Sequence, residues 1–261
     1  MRDASVNYCA YFPQSLRGIP MREQVFAALL AVGALMAPAF AGSGFDNVKS
    51  VAVISAIGDC IRLQRIDATI FSAGEDAECA PIDGIDETVV DQITKALSPR
   101  FVVKAVRYNR DAIAHMPFVL ELGLGEANID AQLKAIPNPG VDAYVVVQKL
   151  RLSNIISDNS RWSDGLGMAR ESSMFGATNK MFALFTIRVI DAHTFKELAD
   201  HPVKKPGSFF GMFPIMEVDE ALWARWAREV TPEKKVAIKA KLMPLVQEGI
   251  ADSLHKMQLT P

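Results

Sequence analysis

Cysteine is scarce in this chain, at three residues in 261. That excludes the disulfide-dense scaffolds that stand in for a core in small secreted domains, and it excludes a four-cysteine zinc module. Histidine is nearly as rare, at four. His115, His193, His201 and His255 show no pair at ligand spacing, and each reads as a turn or surface residue. No metal site and no cofactor is expected. Neither sign of charge dominates: 28 basic and 30 acidic residues leave a net charge of −2, without the basic stripe that marks a nucleic-acid binder. Long apolar runs are missing as well. A membrane-spanning helix needs about 20 residues, and the longest run here covers only Val25 to Ala37. Gly165-Leu166-Gly167 lacks the further glycine and following helix of a dinucleotide site, so it reads as a loop entering a strand.

The opening residues carry a different signal. Met21 is followed by Arg22, the apolar run to Ala37, Pro38, Ala39-Phe40-Ala41 and then Gly42-Ser43-Gly44. A positive start, a short apolar core and small residues at −3 and −1 describe a secretory signal cleaved after Ala41. Residues 1–20 have no place in such a signal, so translation is expected to start at Met21. The division expected is a leader and signal over 1–41 and one mature domain over 42–261, unanchored and periplasmic. Cys9 leaves with the leader. Cys60 and Cys79 remain, an even pair for which an oxidising compartment favours a disulfide over two buried thiols.

Along the mature chain, Val48 to Ile57 is β-branched, nearly all apolar and closed by Gly58-Asp59, the pattern of a central buried strand. Residues 61–71 alternate weakly and run into a polar loop over 72–81. Asp86 is expected to cap a helix to about Leu97, with Val89, Val90, Ile93 and Leu97 on one face. Strands over 101–106 and 141–150 bracket a helix over 126–136. Two more strands, 165–175 and 180–190, are expected to join at Gly176-Ala177-Thr178-Asn179, with a tight turn at Asp191-Ala192-His193-Thr194 leading into a short return strand. A helix over 219–229 and a longer one capped by Thr231-Pro232 close the chain. The second is given an apolar stripe through Val236, Ala240, Met243, Val246, Ile250, Leu254 and Met257, with Pro244 inside it. The fold class is therefore α/β: a mixed sheet built from a β-α-β-α-β half and an antiparallel meander, covered by carboxy-terminal helices.

This order of elements, from the buried strand at Val51–Ile57 to an Ile-Asp-Ala-His-Thr hairpin and a long final helix, resembles the α/β domain of the curli-secretion lipoprotein family and of the amino-terminal domain of the Tol-Pal translocation protein. The resemblance implies a non-catalytic module for contacts or assembly at the bacterial envelope. The chain departs from it in two ways: no lipid-attachment cysteine follows the apolar run, and no propeller is read.

Two segments invite a chemical reading. Lys204-Lys205-Pro206-Gly207-Ser208-Phe209-Phe210-Gly211-Met212-Phe213-Pro214-Ile215 gathers three phenylalanines and a methionine beside two lysines, among glycines and prolines that exclude a regular element. Exposed, Lys204, Lys205, Phe209, Phe210, Met212 and Phe213 suit an envelope protein or an anionic membrane surface; buried, they form a flap beside Trp223 and Trp226. The alternative is an esterase-like hydrolase. Gly58-Asp59-Cys60 follows the first strand, and Asp252-Ser253-Leu254-His255 offers a carboxylate and an imidazole. Cys60 would attack, His255 would take its proton, and Asp252 would orient the ring.

Overall fold

The computed structural model describes residues 45–58, 60–66, 76–119, 129–137, 140–156, 162–173, 176–204 and 213–260, all within the compact unit Gly44–Pro261. The leader and signal segment lie outside these residues. In chain order the elements are β1 (Ser50–Ala56), β2 (Cys60–Ile66), β3 (Asp76–Pro81), α1 (Ile85–Leu97), β4 (Val102–Lys104), α2 (Arg110–Ala114), β5 (Phe118–Val119), α3 (Asp130–Lys134), β6 (Ala143–Leu152), β7 (Ser163–Ser173), β8 (Gly176–Asp191), β9 (Glu197–Pro202), β10 (Ile215–Glu217) and α4 (Pro232–Lys256).

The architecture is the mixed α/β sheet expected, organised about one long strand. One edge of β8 pairs antiparallel with β7 over Gly176 to Leu184, then with β6 over Phe185 to Asp191. Its other edge takes β10 at Lys180 to Phe182 and β9 from Thr186 onward. The sheet thereby divides into two leaves. One continues from β6 to β1 and β4, all parallel; the other continues from β7 to β2 in parallel and to β3 in antiparallel pairing.

Burial follows from the pleat. Along β1, Val51, Val53 and Ile57 face a core shared with α1 and α4. Ala52, Ile54 and Ala56 face a second cluster built with Ile113, Ile129 and Leu133 from the α2 and α3 region. A strand covered on both sides reads as continuously apolar, which is what made β1 legible. On the other leaf, Ile66, Leu150, Phe182 and Leu184 form a third cluster with Phe118. Each fully buried aliphatic side chain contributes roughly 1.5–3 kcal/mol. Ile85, Val89, Ile93 and Leu97 therefore hold α1 by packing, since a helix of 13 residues is marginal alone.

Several expectations are corrected. The polar loop over 72–81 contains β3, which pairs with β2 from Arg65↔Asp76 to Cys60↔Pro81. The join expected at residues 176–179 belongs to β8, where Ala177 to Asn179 already pair with β7. Gly84, not Asp86, is the N-cap of α1; Asp86 sits buried in the first turn. The helix expected over 219–229 is replaced by two short 3-10 turns, Glu220–Leu222 and Ala227–Glu229, with extended backbone at Trp223 and Trp226. Tertiary hydrogen bonds hold that break: Lys234 Nζ donates to Trp223 O at 2.8 Å, and Ala227 N–H donates to Glu78 Oε2 at 2.7 Å. The stripe of α4 is also rotated. Ile238, Leu242, Met243, Val246, Ile250 and Leu254 are buried, whereas Val236 is 70% exposed.

Candidate functional site

The first leaf is wound in two directions. From β1 the chain crosses through α1 on one face to β4, then returns through α2 and α3 on the opposite face to β6. In open α/β sheets, ligands bind in the crevice outside the carboxyl ends of strands where the winding reverses. Here a hollow of about 820 Å³ opens beside the carboxyl ends of β1 and β4, with Asp86, Glu87, Asp91, Lys104, Tyr108 and Arg110 in its wall. A second, of about 470 Å³, shares Tyr108 and Asn109 with the first and extends between α2 and α3 to Gln132 and Ile136.

The wall is built around an edge that β4 leaves unpaired. The β1–β4 register ends at Ala52↔Lys104, so among the described residues Ser55 has no strand neighbour on that side. A side chain satisfies its backbone instead. Tyr108 Oη accepts from Ser55 N–H at 3.1 Å and donates to Ser55 O at 2.8 Å, which meets the requirement that buried main-chain groups be paired. Burial pushes the Tyr108 phenol above its ordinary acid constant, against the lowering effect of its bond to Ser55.

Asp86 closes the same end of β1. Its Oδ1 accepts from Ser55 Oγ at 2.6 Å, Ile57 N–H at 3.0 Å and Gly58 N–H at 3.1 Å. Gly58 is required here, because a Cβ would lie 2.7 Å from Ile85 Cβ and 2.9 Å from Asp86 N. Arg110 stands before the other carboxylate oxygen, with Nη1 3.7 Å from Asp86 Oδ2 and 3.9 Å from Glu87 Oε1. The arrangement can hold a polar small molecule against the four carboxylates of Asp86, Glu87, Asp91 and Asp111 and the two cations of Lys104 and Arg110. Among the described residues, no group of three or more His, Cys, Asp or Glu side chains is placed to hold a metal ion.

The residues singled out in the sequence fall elsewhere. Cys60 and Cys79 are joined by a disulfide across neighbouring strands β2 and β3, with their Cα atoms 5.5 Å apart. A hollow of about 180 Å³ beside the bond is lined by Arg62, Glu78, Lys149 and Asp164 among others, and includes neither Asp252 nor His255. Asp252 is ion-paired with Lys256 at 2.6 Å, and His255 lies on the exposed side of α4. The sulfur that a hydrolase would need is thus committed to Cys79, and a bonded cysteine offers no thiolate.

The phenylalanine segment is described only at its ends; Lys205, Phe209, Phe210 and Met212 lie outside the described residues. Both ends are fixed to one edge of β8. Val203 N–H donates to Phe185 O at 2.9 Å, and Ala183 N–H donates to Pro214 O at 3.0 Å. Residues 204–213 therefore leave and rejoin the sheet at positions two residues apart. Lys204 and Phe213 are half-buried, and Phe213 packs with Ile215 against the cluster of Phe182 and Leu184. Phe213 thus contributes to the foot of the loop.

From sequence Asp86 has only the part of a helix cap and His201 that of a turn or surface histidine, and neither Tyr108 nor Arg110 is singled out. The available signal for Asp86 is a carboxylate in the first helical turn after Gly84, where negative charge is favoured.

No protein-family model matches the chain, and no curated protein is similar to it in sequence. Among solved structures it is similar to lipoprotein GNA1162 from Neisseria meningitidis, at 8% identity over 67% of this chain and 89% of that one, with a TM-score of 0.26. An overlap of that size is too slight to establish a shared fold. Among the described residues, no helix is long and apolar enough to cross a membrane.

Proposed function

We propose that the chain is an exported, non-catalytic binding or assembly module of the bacterial cell envelope. Its leader ends at Ala41, and the mature domain works in the periplasm without a lipid anchor. The observation that carries this reading is the Cys60–Cys79 bond. Disulfides persist in oxidising compartments and are rare where thiols are kept reduced. The small-residue site after the Val25–Ala37 run supports the same address. The likeness in element order to the curli-secretion lipoproteins and the Tol-Pal amino-terminal domain points the same way.

Contact with an envelope protein or a membrane surface is assigned to residues 204–215. Fixed attachment of both ends to β8 limits the entropy lost when such a loop docks, and lysines beside phenylalanines suit an anionic surface with an apolar interior. Cosedimentation with vesicles containing phosphatidylglycerol tests this. The mature chain should bind, and a Phe209→Ser/Phe210→Ser variant should lose most binding while its urea midpoint stays unchanged. Equal binding by the variant removes the loop from the account.

A further inference from the structure

A second binding site, independent of the contact assigned to residues 204–215, lies in the hollow at the carboxyl ends of β1 and β4. The buried anion of its wall is Asp86, at 3% exposure. Oδ1 carries three bonds from the end of β1. Oδ2 is buried too, yet among the described residues no hydrogen bond reaches it. A carboxylate oxygen taken out of water normally keeps a donor.

The cation beside that oxygen is held loosely. Arg110 Nη1 lies 3.7 Å from Asp86 Oδ2 and 3.9 Å from Glu87 Oε1, and its Nε lies 3.8 Å from Asp111 Oδ1. All three exceed the roughly 2.7–2.9 Å of a charge-assisted hydrogen bond. The Arg110 side chain is 42% exposed, so it has room to swing outward. Lys104 is tied down, its Nζ donating to Gly140 O at 2.8 Å. Four carboxylates face these two cations, so negative charge is in excess. Tyr108 lines both this hollow and the second one. Its hydroxyl is committed to Ser55 N–H and Ser55 O, so what it offers a ligand is ring surface, which attracts cations. Past Tyr108 the second hollow is walled by Ala112, Ala131, Ala135 and Ile136, which suit an apolar stem.

We infer that the two hollows together form a site for a small organic cation, an ammonium or guanidinium group on a short apolar stem. The cationic group displaces Arg110 from Asp86 and donates to Oδ2, while the stem passes Tyr108 toward Ala131 and Ile136. Arg110 keeps Glu87 and Asp111 as partners on the exposed side, so its charge stays compensated when it moves. The excess of carboxylates disfavours an anion in the same place.

Titration of the full chain at pH 7.5 with n-hexylamine, n-hexanol and hexanoate, at fixed ionic strength and followed by amide chemical shifts, tests the site. The amine should give saturable shifts at Gly58, Glu87 and Arg110. Hexanol and hexanoate should bind at least about tenfold more weakly, the factor that one hydrogen bond to a charged group supplies. Asp86→Asn should weaken the amine about tenfold and leave hexanol unchanged. Glu87→Gln/Asp91→Asn, at two exposed positions that do not endanger folding, should weaken it about threefold. Arg110→Gln, which removes the competing cation, should tighten it about threefold. The absence of saturable shifts with the amine overturns the inference. So does equal binding of amine and hexanol, or an Arg110→Gln variant that binds the amine less well than the wild type.

Discussion

Replacing Asp86 by alanine should unfasten the first leaf from its helix. The side chain is 3% exposed, and its Oδ1 receives the Ser55 hydroxyl and the amides of Ile57 and Gly58. Truncation leaves two buried N–H groups without an acceptor, at about 1–3 kcal/mol each, and removes a hydroxyl bond worth about 1 kcal/mol. The expected loss is therefore about 3–7 kcal/mol, a large share of the roughly 5–15 kcal/mol that holds a domain together. Asp86→Asn keeps an acceptor in place of Oδ1 and should cost only about 1–2 kcal/mol. Urea unfolding at pH 7.5, followed by tryptophan fluorescence, gives both values from the midpoints at constant slope. A loss below about 1.5 kcal/mol for Asp86→Ala, or an asparagine variant as damaged as the alanine one, would refute the assignment of Asp86 as the clasp of β1.

Three further outcomes follow from the same structure. Cys60→Ser/Cys79→Ser should lower stability by about 3 kcal/mol, the chain-entropy value for a 19-residue separation, and urea titration of the oxidised wild type against the variant measures it. On α4, Ile238→Ala should cost about 2–5 kcal/mol and Val236→Ala less than about 0.5 kcal/mol, because the first is buried and the second 70% exposed; equal losses in thermal unfolding would restore the stripe read from sequence. Asp142 accepts from the amide of Lys49 at 2.9 Å, and from the amide and hydroxyl of Ser50 at 2.8 and 2.9 Å, bonds that hold its carboxyl below the usual range. With the folded value depressed, its contribution is full above the unfolded value of 3.8 and is lost as pH falls through the folded one. Asp142→Asn should accordingly flatten the stability–pH curve below about pH 4, as read by urea midpoints.

Where the sequence was informative, the forces were local or periodic. β1, β6 and α1 were legible because two-sided burial writes an unbroken apolar run and one-sided burial writes a 3.6-residue stripe. The failures mark places where distant partners decide. β3 forms from a polar segment because β2 supplies its ladder and Cys60 its covalent tie. Residues 219–229 carry helical spacing at Leu222, Trp226 and Val230, yet bonds from Lys234 and to Glu78 stabilise extended backbone at both tryptophans. α2, at five residues, is too short to write a period, whereas α3 lies within the helix expected over 126–136.

The candidate site was less legible than the fold for the same reason. Asp86 finds Ser55 across 31 positions, Tyr108 finds it across 53, and His201 finds Ser253 across 52. No spacing rule links such residues. Once the sheet brings them together, however, their chemistry is readable: a carboxylate for orphan amides, a phenol for an unpaired edge, and an imidazole against a buried serine hydroxyl. The disulfide was readable because only two cysteines remain once the leader is removed.

The account depends most on export and oxidation, and one intact-mass measurement on protein purified from its native host reads both. The predicted result is the mass of residues 42–261 less two hydrogens, unchanged by a thiol-alkylating reagent. A mass that still includes Val25–Ala37, with Cys60 and Cys79 both open to alkylation, would contradict it.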